Sequence, residues 1–139
     1  MISKAIQFVV PLTNRPGTMS KLCAALGRNK VNIIAILVPE AKEKQIARVM
    51  VKADDLGVTR DALKRERIGF SEEEVLDVEI DNRIGAFGEL SGKLAKAKIN
   101  IKYAYATTAP FARARLVVAV SDIDKALGVL ADKPENMVA

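Results

Sequence analysis

The chain repeats itself. Asn14 to Ile33, NRPGTMSKLCAALGRNKVNI, returns without a gap as Asn82 to Ile101, NRIGAFGELSGKLAKAKINI, at a constant offset of 68. Eight of the twenty positions are identical: Asn14/Asn82, Arg15/Arg83, Gly17/Gly85, Leu22/Leu90, Leu26/Leu94, Lys30/Lys98, Asn32/Asn100 and Ile33/Ile101. A word this long, copied whole, is a supersecondary unit, so the sequence predicts two similar small modules, residues 1–72 and 73–139. Each module alone buries a modest core, which predicts side-by-side packing or assembly into a homodimer.

What surrounds the repeat narrows the chemistry. There is no histidine and one cysteine, Cys23, on an apolar helix face. That removes the commonest general base, the Ser-His and Cys-His nucleophile pairs, and Cys-cluster metal sites. The acidic residues show no recurring pair at metal-ligand or acid/base spacing, and GAFGELSG (85–92) lacks the ending of a phosphate loop. The sequence therefore predicts no enzyme, no metal and no cofactor. No apolar run approaches a membrane span and the N-terminus lacks a secretory pattern, so a cytoplasmic location is expected. The net charge of +5 is too mild to name a partner.

Periodicity gives the elements. Ile6 to Leu12 reads as a strand ending in the turn cluster 13–17, and a helix follows over 18–29 with Met19, Leu22, Cys23 and Leu26 on one face. Asn32 to Val38 is a second strand, with Ile33, Ala35 and Leu37 on one face and Ile34, Ile36 and Val38 on the other. Both faces are apolar, which predicts that the far face is covered, here by another subunit. A loop over 39–44, a strand over 46–52, a helix from Asp54 to Arg67 and a short closing strand over 68–71 complete a βαββαβ unit.

The second copy supplies VLDVEID, the same turn, and a helix with Phe87, Leu90, Ser91 and Leu94 inward. Strands over 100–107 and 113–120 and a helix over 122–131 follow. The tail KPENMVA makes a poor closing strand, leaving an edge open or covered by a partner. The fold class is α+β: two ferredoxin-like βαββαβ modules in tandem, with antiparallel sheets and helices on one face.

This unit resembles the ACT domain, the small amino-acid-sensing module of metabolic regulation. The residues that carry the resemblance are Asn14-Arg15-Pro16-Gly17, Leu22, Leu26 and Asn32-Ile33, and in the second copy Asn82-Arg83-Ile84-Gly85, Leu90, Leu94 and Asn100-Ile101. The chain looks most like stand-alone tandem-ACT proteins. The resemblance implies a non-enzymatic regulator that binds a free amino acid at the turn, where two modules meet, and that acts on a metabolic enzyme. Pro16 has become Ile84 in the second copy.

The turn suits that ligand. Gly17 and Gly85 bring the backbone close, and the amides of Thr18 and Met19, or of Ala86 and Phe87, lack intrahelical partners at the positive end of a helix dipole. A carboxylate is held well there. Asn14 and Asn82 each offer a donor and an acceptor to a zwitterion. Asn32-Ile33 and Asn100-Ile101 are placed at the seam with the neighbouring module. The same residues also suit plain turn-making: Asx-turns or helix caps for the asparagines, a helix start for Pro16, solvated side chains for Arg15 and Arg83.

Two other readings stand beside this one. Tyr103 and Tyr105 share a strand face, as base-stacking aromatics do in RNA-binding folds of the same βαββαβ order, though packing is the favoured role and nucleic acid is not the expected partner. A regulatory subunit clamped to an enzyme without responding to a ligand is the other. The basic run Arg60, Lys64, Arg65, Arg67 reads as a solvated helix end.

Overall fold

The computed structural model describes residues 1–108 and 113–131, so the tail read as a doubtful closing strand lies outside the described residues. The chain forms two compact units. One holds residues 6–73; the other holds the chain from Glu74 together with Met1–Ala5.

In the first unit, β1 (Ile2–Thr13) leads through the turn into α1 (Thr18–Arg28), then β2 (Ile33–Leu37), β3 (Lys44–Val51), a 3-10 turn and α2 (Leu56–Arg65). β3 lies between β2 and β1, antiparallel to both. Alternate residues of β1 (Phe8, Val10, Leu12) and β3 (Ala47, Val49, Val51) face Leu22 and Leu26 of α1 and Leu63 of α2. Phe70 packs edge-on against Phe8, ring centres 5.7 Å apart. Burying each such side chain contributes about 1.5–3 kcal/mol, which makes this layer the main source of stability.

The second unit repeats the plan with β4 (Ser71–Asp81), α3 (Ala86–Lys96), β5 (Ile101–Thr107), β6 (Arg113–Val120) and α4 (Ile123–Ala131). Its core joins Leu76, Val78 and Ile80 to Leu116 and Val118, under Leu90, Leu94 and Leu130.

Several expectations change. The short closing strand over 68–71 is absent as a separate element, because the chain from Ser71 runs on without a break into the second copy's first strand. The edge of the second unit is taken from the other end of the sequence: the Glu79 amide donates to the Met1 carbonyl at 2.8 Å, and Ile2 packs on the core of that unit. Lys4 pairs with Asp124 at 3.0 Å and Glu74 at 3.6 Å. No local pattern announces this use of residues 1–5.

The helix faces also shift. Met19 and Phe87, expected inward, are 43% and 38% exposed, and Ser91 is exposed, while Ala25 and Ala86 are buried instead. In the 3.6-residue period, Leu22/Leu26 and Leu90/Leu94 fix the inward direction, which Ala86 shares four residues before Leu90, while Met19 and Phe87 fall to the side of it. On β2, a register shift between Ile33 and Ala35 breaks the alternation, so Ile33 joins Ile36 and Val38 on the helix-side core. The same irregularity recurs between Ile101 and Tyr103. Such an extra residue re-phases every side chain beyond it. Ala35 and Met50, which pair with each other on the face away from the helices, are only 7% and 1% exposed within the single chain, while Ile34 and Leu37 of the same strand stay half-buried.

The repeated Lys30 and Lys98 now have a reason. Both, like Arg67, take a left-handed conformation (φ near 60°) just past a helix end. The next amide then bonds back to the helix: Val31 to Leu26, Ile68 to Leu63 and Ile99 to Leu94. That is a Schellman closure, with a basic residue in the place glycine usually takes and an apolar one following.

Candidate functional site

Each unit carries the same strand-to-helix turn. Gly17 sits at φ 93° and Gly85 at φ 86°, immediately before α1 and α3. The Arg15 amide donates to the Thr13 carbonyl at 2.8 Å, as that of Arg83 does to Asp81 at 3.0 Å. The Lys21 amide closes the first turn of α1 on Gly17, and the Glu89 amide does so on Gly85.

The turns differ in their side chains. Asn14 neither caps α1 nor forms an Asx-turn; its side-chain nitrogen donates to the carbonyls of Ala41 and Lys42 at 2.9 and 3.1 Å, and its backbone amide donates to the Glu43 carbonyl at 2.9 Å. Both side-chain donors are thereby occupied in clasping the β2–β3 loop, which leaves only the amide oxygen for a ligand. The Thr18 hydroxyl turns back to the Thr13 and Arg15 carbonyls at 2.9 and 3.2 Å. In the second unit Arg83 forks onto Glu89, at 2.6 and 3.2 Å. The hydrogen bond holds the Glu89 carboxyl below the ordinary range and raises Arg83 in turn.

Beside the first turn lies a cleft of about 280 Å³, built within one unit by the end of β1, the start of α1 and the segment after α2. Leu12, Leu22 and Ile68 give it apolar walls, and Thr18 a hydroxyl. Three cations, Arg15, Lys21 and Arg67, complete it. The volume is at the lower end of metabolite pockets, about 300–1,000 Å³.

The structure brings some of the expected site residues together and separates others. Arg15 and Thr18 line the cleft, while Asn14, Pro16, Gly17 and Met19 belong to the same turn without lining it. Asn32 and Ile33 lie at the far end of the unit. Thr13 pairs with Lys44 at one end of β3 and Ile33 with Val51 at the other, roughly 20 Å away at ~3.3 Å per residue. The second copy is built alike, with Asp81 opposite Arg113 at one end of β6 and Ile101 opposite Val120 at the other. There, Asn82 to Phe87 form the turn, with Ile84 wholly exposed, and the Asn100 amide is spent on the Ser121 hydroxyl at 3.0 Å. Within a unit, then, no single ligand spans the turn and these asparagines.

Lys21 and Arg67 line the cleft as well, though the repeat and the turn motif do not single them out. Arg67 belongs to the run read as a solvated helix end, and two of its neighbours do behave that way: Arg60 forks onto Glu72 at 2.7 and 2.8 Å, and Arg65 binds Asn29 at 2.8 Å. The left-handed helix exit is what brings Arg67 to the cleft. Tyr103 and Tyr105 are half-buried, opposite Ala119 and Val117 on the face away from the helices. Among the described residues no cluster of His, Cys, Asp or Glu is arranged to hold a metal, and no helix is long and apolar enough to cross a membrane.

Comparison with known proteins agrees with this architecture. The chain superposes on a crystal structure of a protein from Bacteroides thetaiotaomicron with a TM-score of 0.87 at 25% identity, covering 96% of this chain and 90% of that one. The ligand-free regulatory subunit of aspartate kinase from Thermus thermophilus matches with a TM-score of 0.67 at 16% identity, over 95% and 94%. The corresponding subunit from Thermus flavus gives 0.63 at 18%, over 94% and 92%. No curated protein matches by sequence. Residues 8–66, spanning most of the first unit and its cleft, match the AHAS small subunit-like ACT domain. That segment is similar to an ACT domain, and the whole chain shares its ferredoxin-like fold with these regulatory subunits.

Proposed function

We propose that this chain is a non-enzymatic regulator that binds a free amino acid beside the β1–α1 turn of its first unit and passes the signal on through its assembly. The observation that carries the reading is the cleft at the turn, whose walls from β1 and α1 lie inside the segment that matches an ACT domain, with Arg67 to Gly69 just beyond it. An α-carboxylate placed there meets Arg15 and the first amides of α1, and the apolar walls take the aliphatic part of the side chain. The two units act as tandem modules, and the protein works as a homodimer in the cytoplasm, docked to an enzyme of amino-acid metabolism. Affinity belongs in the micromolar to millimolar range, since a ligand of about nine heavy atoms reaching −8 kcal/mol already gains nearly −1 kcal/mol per atom.

The test is thermal melting of the chain against the twenty amino acids at millimolar concentration. A ligand at 100 times its Kd stabilises by about 2.7 kcal/mol, a clear shift in Tm. A flat panel refutes the reading.

A further inference from the structure

The cleft is lined by charge of one sign. Arg15, Lys21 and Arg67 all line it, and no carboxylate does. Among the described residues none of the three is paired with an acid, although neighbouring cations are: Arg28 holds Glu66 at 2.9 Å and Arg60 holds Glu72. Three like charges around one concavity repel each other, and walls of low dielectric focus their field into it. A ligand with one carboxylate and one ammonium gains little there, since its ammonium meets the same repulsion. A ligand with a second negative charge gains from all three.

The second copy places acids in the same frame, each paired internally: Asp81 with Arg113 at 3.0 Å and Glu89 with Arg83 at 2.6 Å. Lys21 corresponds to Glu89 and Thr13 to Asp81 at the constant offset of 68. Arg83, the counterpart of Arg15, is neutralised from within by its fork onto Glu89. What a free carboxylate would do at the first turn, a built-in one does at the second.

We propose that the cleft of the first unit binds an amino acid whose side chain carries a second carboxylate, and that the Arg83–Glu89 pair closes the second turn to anions. This rests on the amino-acid reading above. The α-carboxylate and side-chain carboxylate divide Arg15, Lys21 and Arg67 between them, and the Thr18 hydroxyl and nearby carbonyls are left for the ammonium.

The test is calorimetric titration of the full chain with aspartate, glutamate, asparagine, glutamine, succinate and inorganic phosphate, at about 50 and about 300 mM salt. One of the acidic amino acids is expected to bind at least about tenfold tighter than its amide, and to weaken as salt rises. Lys21→Glu, which recreates the pair of the second turn, and Arg67→Ala should each weaken it about tenfold or more, with circular dichroism unchanged. Glu89→Lys, which breaks the pair in the other unit, should leave the affinity of the first cleft as it was and add a second anion site to the titration; no added site overturns the claim that the pair closes the second turn. An amide or any neutral amino acid binding as tightly as the acids overturns the charge assignment and leaves amino-acid sensing intact. So does full affinity in a folded Lys21→Glu variant. A response to succinate or phosphate but to no amino acid overturns both.

Discussion

Replacing Gly17 by alanine tests the turn on which the site is built. At φ 93° and ψ −14° the backbone lies where a Cβ is disfavoured. Yet a Cβ built there meets no atom within 4 Å, so crowding adds nothing and the cost is backbone strain alone. Strain of that kind costs about 1–3 kcal/mol. Gly92, in the middle of α3, is the control: a Cβ there also meets nothing within 4 Å, but the backbone is helical. Alanine at a helical position stabilises by about 0.5–1 kcal/mol through lost freedom of the unfolded chain. One substitution with equal space at both sites should thus move stability in opposite directions. Urea titration followed by circular dichroism should show the midpoint falling for Gly17→Ala and rising for Gly92→Ala with m unchanged. The melting temperatures should shift by roughly 4 °C per kcal/mol. If Gly17→Ala is neutral or stabilising, the left-handed turn is wrong, and the placement of Arg15 and Thr18 around the cleft falls with it.

Other perturbations follow from the same geometry. Asn14→Ala should lose about 1–2 kcal/mol, because two loop carbonyls lose their donor, and limited proteolysis should cut faster within residues 39–44. Leu90→Ala should cost about 2–5 kcal/mol and Phe87→Ala less than about 1, which a pair of denaturant titrations would separate; the opposite ranking would restore Phe87 to the core. Removing residues 1–5 should destabilise the second unit selectively, read by amide exchange in β4, because Met1, Ile2 and Lys4 supply its edge. Acid should weaken the fold by a predictable route. The Glu72 and Glu89 carboxyls sit below their ordinary values, held chiefly by hydrogen bonds from Arg60 and Arg83. Their contribution is therefore present above the ordinary carboxylate range and is lost as pH falls through the lowered values. Asp77 runs the other way: burial pushes it up, against Arg115 at 3.1 Å, so protonation relieves a penalty there. Glu72→Gln with Glu89→Gln should flatten the loss of stability below about pH 4, and an unchanged profile would refute the assignment.

The repeat and the period-2 and 3.6 patterns determined the element order and the core. Leu22 with Leu26, and Leu90 with Leu94, read as buried from spacing alone, because local periodicity and burial report the same face. The helix exits were written as plainly, in Lys30 and Lys98 each followed by an apolar residue, although the reason for a lysine appears only once its φ is known. The exchange of Lys21 for Glu89 was likewise visible in the sequence. Its meaning was not, because a charge acquires a role only from what faces it.

What tertiary structure decided was whatever joins residues distant in the chain. Residues 1–5 complete a unit whose other strands begin near residue 74, and no local signal encodes a pairing across that separation. The irregularity in β2 re-phases its faces through pairing with β3, and Arg67 reaches the first turn because α2 ends where it does. Sequence sets which residues can be buried or charged. Only the packed chain sets which of them share a cleft, since that depends on distances between segments that are far apart along the backbone.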